Sequence, residues 1–281
     1  MHSKVLLAAL ATVPLVAAHG KLAVVCGDMG GNTTALGITG GDVPERGPNK
    51  VTETDTTTFN AKNIKSNGLG KTTGQGNNKA TMVTAAMAQS GNTLPQVAPG
   101  GTMAGIFHIV TTDGAGPIRG LVDETATGQF ANGKEVQFLQ QVPGNGGNIA
   151  QTNNSANQKA AKGARALMER ALTSMGIIQK RAGNVDTDNP FLIRIPADTK
   201  CTGTVEGMTD VCMIKLANSN AAGPFGGVAL FQVPAGGTAT KAAPEGCGMM
   251  GGGGRAGQAA PPATGAAGAT GAKKAQRSFE A

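Results

Sequence analysis

The sequence predicts a mostly β protein: an immunoglobulin-like or fibronectin-like β-sandwich with long loops, one helical insertion and a disordered C-terminal tail. Three observations carry that reading. Short alternating apolar runs recur along the chain, separated by turn signals built from Gly, Pro and Asp. Cys201 and Cys212 stand close in sequence with Gly203 and Gly207 between them, as a bridge that clamps a hairpin requires. One segment, Asn157–Ile178, has the Ala, Lys, Arg, Leu, Met and Glu content of a sizeable helix.

In chain order, Met1–Ala18 reads as a secretion signal. Lys4 gives the charged start, Val5–Val16 is an apolar core broken only by Thr12 and Pro14, and Val16-Ala17-Ala18 is a small-residue cleavage site. The domain, residues 19–247, opens with a strand at Lys21–Cys26 that runs into the glycine-rich Gly27–Asn32. Asp42–Asn78 is polar and rich in Gly, Thr, Asn and Lys, the composition of a long surface excursion. Thr102–Val110 alternates, with Ala104, Ile106, His108 and Val110 on one face and Met103, Gly105, Phe107 and Ile109 on the other. Asp113-Gly114-Ala115-Gly116-Pro117 then turns the chain into a strand at Ile118–Val122. Strands at Glu135–Val142 and Phe191–Ile195 flank the expected helix, and Val211–Leu216 and Gly227–Val233 close the domain. Residues 248–281, with the run Gly251–Gly254 and repeated Ala, Gly, Pro and Thr, bury too little apolar surface to offset ordering entropy and read as a disordered tail.

Cys26, Cys201, Cys212 and Cys247 form an even set in a chain expected outside the cell, hence two disulfides in one of three connectivities. A Cys201–Cys212 hairpin bridge leaves Cys26 with Cys247, tying the start of the domain to its end. A zinc site is the competing use, but CxxC spacing is missing and histidines are few. No second run of about 18 apolar residues follows the signal. The polar end Lys273-Lys274-Ala275-Gln276-Arg277 also lacks the hydrophobic tail of a lipid-anchor signal. The expected product is secreted, soluble and monomeric, with sequons at Asn32-Thr33-Thr34 and Asn153-Asn154-Ser155.

Loss of Lys4 with the signal lowers the formal charge from +7 to +6, since 24 basic residues become 23 against 17 acidic ones. Such a surplus suits an acidic polysaccharide, a membrane surface or a charged wall. The basic residues are scattered, however, with only short pairs at Lys180-Arg181 and Lys273-Lys274. No aromatic-basic strand motif accompanies them, so nucleic acid is not an expected partner.

Histidine use is the most telling feature for chemistry. Of three histidines, the mature chain keeps His19, which becomes its first residue, and His108. An α-amino group and an imidazole on one residue chelate a metal in a small ring, and a second imidazole completes a T-shaped set of three nitrogens. That set suits Cu(II), which favours nitrogen donors in a tetragonal plane. The plainer reading makes His19 a chance terminal residue and His108 an ordinary strand residue. The absence of any other histidine from the mature chain weighs against it.

Other enzyme classes find little support. No GxSxG elbow and no HExxH stand in the chain. The 17 acidic residues supply many carboxylate pairs for a glycosidase, but none that spacing selects. Gly144-Asn145-Gly146-Gly147 lacks the lysine of a phosphate-binding loop.

Four blocks resemble the Egh-type appressorial virulence-factor family of fungi. They are HGKLAVVCGDMGGNTTALGI (His19–Ile38), SGNTLPQVAPGGTMAGIFHIVTTDGAGPI (Ser90–Ile118), IPADTKCTGTVEGMTDVCMIKLAN (Ile195–Asn218) and AGPFGGVALFQ (Ala222–Gln232). The resemblance implies a secreted fungal protein linked to infection structures and to host or cuticle penetration. A looser similarity, to lytic polysaccharide monooxygenases and their copper-binding relatives, implies a copper cofactor in a histidine brace. On this chain it maps to His19 and His108, with Gln232 orienting the oxygen species and Phe231 or Asp113 toward the axial side. It implies oxidative action on cell-wall or cuticle polysaccharide. The chain departs from that pattern in having no Tyr and no Trp, which removes an axial tyrosine and the usual sugar-stacking platform. Two alternatives of other classes stand beside it: a non-catalytic adhesin or effector that binds a host surface, and a copper-acquisition protein.

Overall fold

The computed structural model describes residues 19–40, 54–60, 62–150, 187–221, 223–234, 236–238 and 247. The expected signal, the helix at Asn157–Ile178, the sequon at Asn153 and the tail at 248–281 lie outside them.

Thirteen strands among the described residues form two antiparallel sheets. The first sheet contains β1 (Gly20–Gly27), β2 (Gly30–Thr33), β6 (Thr102–Ile109), β9 (Gln137–Gln140) and β10 (Thr187–Arg194), in the order β2-β1-β6-β10-β9. The second contains β3 (Thr57–Thr58), β4 (Lys71–Thr72), β5 (Gly76–Asn77), β7 (Ile118–Asp123), β8 (Lys134–Glu135), β12 (Met208–Asn218) and β13 (Phe225–Gln232). Its order is β5-β4-β3-β13-β12-β7-β8, with β11 (Gly203–Val205) hairpinned onto β12.

The core between the sheets follows from side-chain alternation. Leu22 and Val25 of β1, Met103, Phe107 and Ile109 of β6, and Phe191 and Ile193 of β10 face Ile118, Val122, Cys212, Ile214, Leu216, Ala229 and Phe231 of the second sheet. The β6 alternation is the one expected. In β1 the register shifts between Leu22 and Val24, so that Leu22 and Val25 share the inner face while Val24 and Cys26 pack outside.

The second sheet is buried on both faces. Val211, Met213 and Ala217 of β12, with Val228 and Leu230 of β13, meet a second apolar cluster that includes Leu36, Phe59, Ile64, Val83, Leu94 and Phe130. This is why β12 and β13 read as nearly continuous apolar runs.

Three elements differ from expectation. Part of the polar stretch Asp42–Asn78 is not a surface excursion but the edge of the second sheet. Its threonines tolerate burial because their hydroxyls pair: Thr57 Oγ1 lies 2.8 Å from Thr72 Oγ1, and both residues are buried. The run at Glu135–Val142 changes sheets at Val136, with β8 on the second sheet and β9 on the first. A helix not anticipated, α1 (Val83–Ser90), ends at Gly91, whose φ of 131° favours glycine.

Both disulfides take the pairing that the hairpin bridge leaves: Cys201–Cys212 and Cys26–Cys247. Cys247 is buried beside Ala104 on the outer face of the first sheet, so the bridge fastens the chain there. No helix among the described residues is long and apolar enough to cross a membrane.

Candidate metal site at the start of the first strand

His19 sits just before β1 and is held by its backbone. Its carbonyl accepts hydrogen bonds from the Val110 and Thr111 amides, both at 3.1 Å. Its nitrogen donates to Thr111 Oγ1 at 2.7 Å. Thr111 opens a tight turn that Gly114 closes, Gly114 N donating to Thr111 O at 2.9 Å. The fit leaves no room for side chains. A Cβ on Gly114 would stand 1.8 Å from the His19 oxygen, and one on Gly20 would stand 2.2 Å from the Gly114 oxygen. Two glycines are therefore what allow the start of β1 to lie against this turn. The turn is braced from behind by the Ile149 amide on Thr112 O at 2.7 Å.

The ring of His19 is buried against Phe225, the first residue of β13, with centroids 5.4 Å apart. Asp113 lies within the turn that grips His19. Its Oδ1 atom is buried and has no hydrogen-bond partner among the described residues.

His108 stands on the outer face of β6, directly opposite Lys21 of β1 and Asp188 of β10. Gly20 pairs with Ile109, so His19 is diagonal to His108 across the β1–β6 ladder. The ring of His19 nevertheless turns to Phe225 of the second sheet, away from the outer face on which His108 stands beside Asp188. His108 Nδ1 is 2.8 Å from Asp188 Oδ1. A carboxylate accepts, so Nδ1 carries the proton and Nε2 of the neutral ring is the electron-pair donor. Metal-binding histidines are usually oriented by such a carboxylate.

Gln232 and Phe231 belong elsewhere. Gln232 ends β13, seven residues from Phe225 or roughly 23 Å at the usual strand rise. Its amide is engaged, Oε1 accepting from Gln96 Nε2 at 2.6 Å and Nε2 donating to Thr209 O at 2.6 Å. Phe231 is fully buried in the inter-sheet core. Of the two residues suggested for the axial side, Asp113 is therefore the one at the His19 end.

Sequence reading missed Thr111 and Asp188. Asp188 hid behind Pro190, which made Phe191 look like the first strand residue. The proline is tolerated because β9 pairs with β10 only from Leu192 onward, so no partner strand there needs its missing N–H.

Among the described residues no three His, Cys, Asp or Glu side chains converge on a metal position. A brace uses only two such side chains, its third nitrogen being the α-amine. The donor chemistry fits copper: an α-nitrogen, the His19 ring and the His108 ring. The sugar-binding side of the resemblance does not find its counterpart. Phe59, Phe107, Phe130, Phe191, Phe225 and Phe231 are buried and Phe138 is partly so, which leaves no exposed ring among the described residues to stack on a sugar.

A family model described as Egh16-like virulence factor matches residues 17–226. The chain is 34% identical over 238 residues to the appressoria-specific virulence factor GAS1 of Pyricularia oryzae, a match spanning 83% of this chain and 79% of that one. It is 31% identical over 144 residues to the appressoria-specific virulence factor GAS2 of the same fungus, spanning 50% of this chain and 39% of that one. No solved structure matches the chain.

Proposed function

This chain belongs to the Egh16-like virulence factor family, and we propose that it is a secreted protein of fungal infection that binds copper through a histidine brace at its mature N-terminus. The observation that supports the reading is that the His19 backbone is gripped one step along the β1–β6 ladder from a His108 whose Nδ1 is held by Asp188; binding copper would turn the His19 ring from Phe225 toward His108.

The α-nitrogen and ring of His19 and Nε2 of His108 would hold the metal. Bound there, copper supplies a one-electron couple between Cu(II) and Cu(I). Thr111 fixes the α-nitrogen, and Asp188 fixes the orientation and tautomer of His108. Gln232 has no part in this site. Among the described residues no aromatic ring is exposed, so what is proposed is copper binding.

Calorimetric titration of the mature chain with Cu(II) tests it. One tight site is expected, lost in His108→Ala and weakened about 10–100-fold in Asp188→Asn. Affinity unchanged in His108→Ala would overturn the brace, and the absence of any tight site would overturn copper binding and favour a non-catalytic adhesin.

A further inference from the structure

Cutting the chain before His19 changes the charge at a buried place. In the uncut chain the His19 nitrogen is a neutral amide with one hydrogen, donated to Thr111 Oγ1 at 2.7 Å. After the cut it is an ammonium with three hydrogens and a unit positive charge, still seated on the turn from Thr111 to Gly114. A buried cation is costly unless it is paired. The same turn contains Asp113, whose buried Oδ1 has no hydrogen-bond partner among the described residues. A buried acceptor left unsatisfied is costly as well.

Both costs have one remedy. We propose that Asp113 is the counter-charge of the mature N-terminus, its carboxylate accepting a hydrogen bond from the His19 α-ammonium that signal removal creates. Thr111 positions the nitrogen and Asp113 neutralises it. Gly114 and Gly20 allow the close backbone approach that brings turn and terminus together. The contact makes cleavage a structural step: the first strand is fully fastened to the turn only in a chain that begins at His19. Asp113 is the partner of this nitrogen in the metal-free chain, and a metal bound at the same nitrogen would displace its proton. The inference rests on the mature terminus of the proposed function but not on copper.

A two-by-two comparison in the presence of a chelator tests it. One axis is a chain beginning at His19 against a chain with Gly-Ser before His19, both checked by intact mass. The other axis is Asp113 against Asp113→Asn. Asp113→Asn should lower Tm by roughly 2–4 °C in the chain that begins at His19. In the extended chain it should change Tm little, because no ammonium is there to lose. Equal losses in both chains, or no loss in either, would overturn the proposal. Acylation of the α-amine provides a second reading that survives a poorly folding variant. Below its melting temperature, the Asp113 chain should be acylated several-fold more slowly than after denaturation; equal rates would overturn the proposal. Copper titration of the same chains separates this outcome from that of the metal site.

Discussion

Lys215 interrupts an otherwise apolar face of β12. It is buried, its Nζ donates to the carbonyls of Ser66 at 2.7 Å and Ile64 at 3.4 Å, and it lies over the rings of Phe59 and Phe130 at 4.6 and 4.8 Å. Burial pushes its pKa down from the ordinary 10.5 to about 8. Between those values the unfolded chain holds more protons than the folded one, so this group's contribution to stability rises with pH. Below about 8 both states are charged and the contribution is flat. The urea midpoint of the native chain, compared with Lys215→Met, should therefore move in favour of the native chain from pH 8 to pH 10. A pH-independent difference would contradict this. Asp123 works with the opposite sign. Burial acts to raise its pKa, but hydrogen bonds from the side chain and backbone of Thr125 and from the amides of Gln129 and Gly128 outweigh it and hold the carboxyl below its ordinary 3.8. Its contribution is present above that value and is lost as pH falls through the folded one. Asp123→Asn should cost about 1–3 kcal/mol at neutral pH, and the difference should shrink as acid titrates the native chain.

At the scale of elements, the two disulfides close very different loops. Cys201–Cys212 spans 11 positions and Cys26–Cys247 spans 221. Loop-closure entropy predicts that removing the short bridge costs roughly 3 kcal/mol and the long one roughly 5 kcal/mol. Urea denaturation of the two double Cys→Ser variants measures this, and a larger loss from the hairpin bridge would contradict it. The hairpin bridge was legible because Cys201 and Cys212 sit close together around glycines. The face pattern of β6 was legible because its apolar residues alternate. The threonine-rich strands β3 and β4 were not, since composition cannot show that Thr57 and Thr72 will satisfy each other's hydroxyls. Nor was the change of sheet at Val136, because a run of strand-forming residues does not record which ladder each half joins.

For the whole molecule, what matters is which end of the sandwich each residue occupies. Periodicity assigns a face, and it sets His108 on the face of β6 opposite Phe107 and Ile109. It says nothing of position along a strand relative to a distant one. Gln232 was therefore matched to the histidines by resemblance, although β13 runs from Phe225 at the His19 end to Gln232 at the other. Thr111 goes unrecognised as part of the site for the same reason, and Asp113 enters it only by resemblance. Their sequence marks a turn, and only the pairing of Gly20 with Ile109 brings that turn to the terminus. In the proposed site, a mature terminus at His19, held on its turn, would share a copper ion with His108. Native mass spectrometry of the chain secreted from a fungal host, after one equivalent of Cu(II), tests it most directly. A chain beginning at His19 that carries one copper ion is expected, with no specific copper on its His108→Ala counterpart. A different N-terminus, or copper retained without His108, would contradict it.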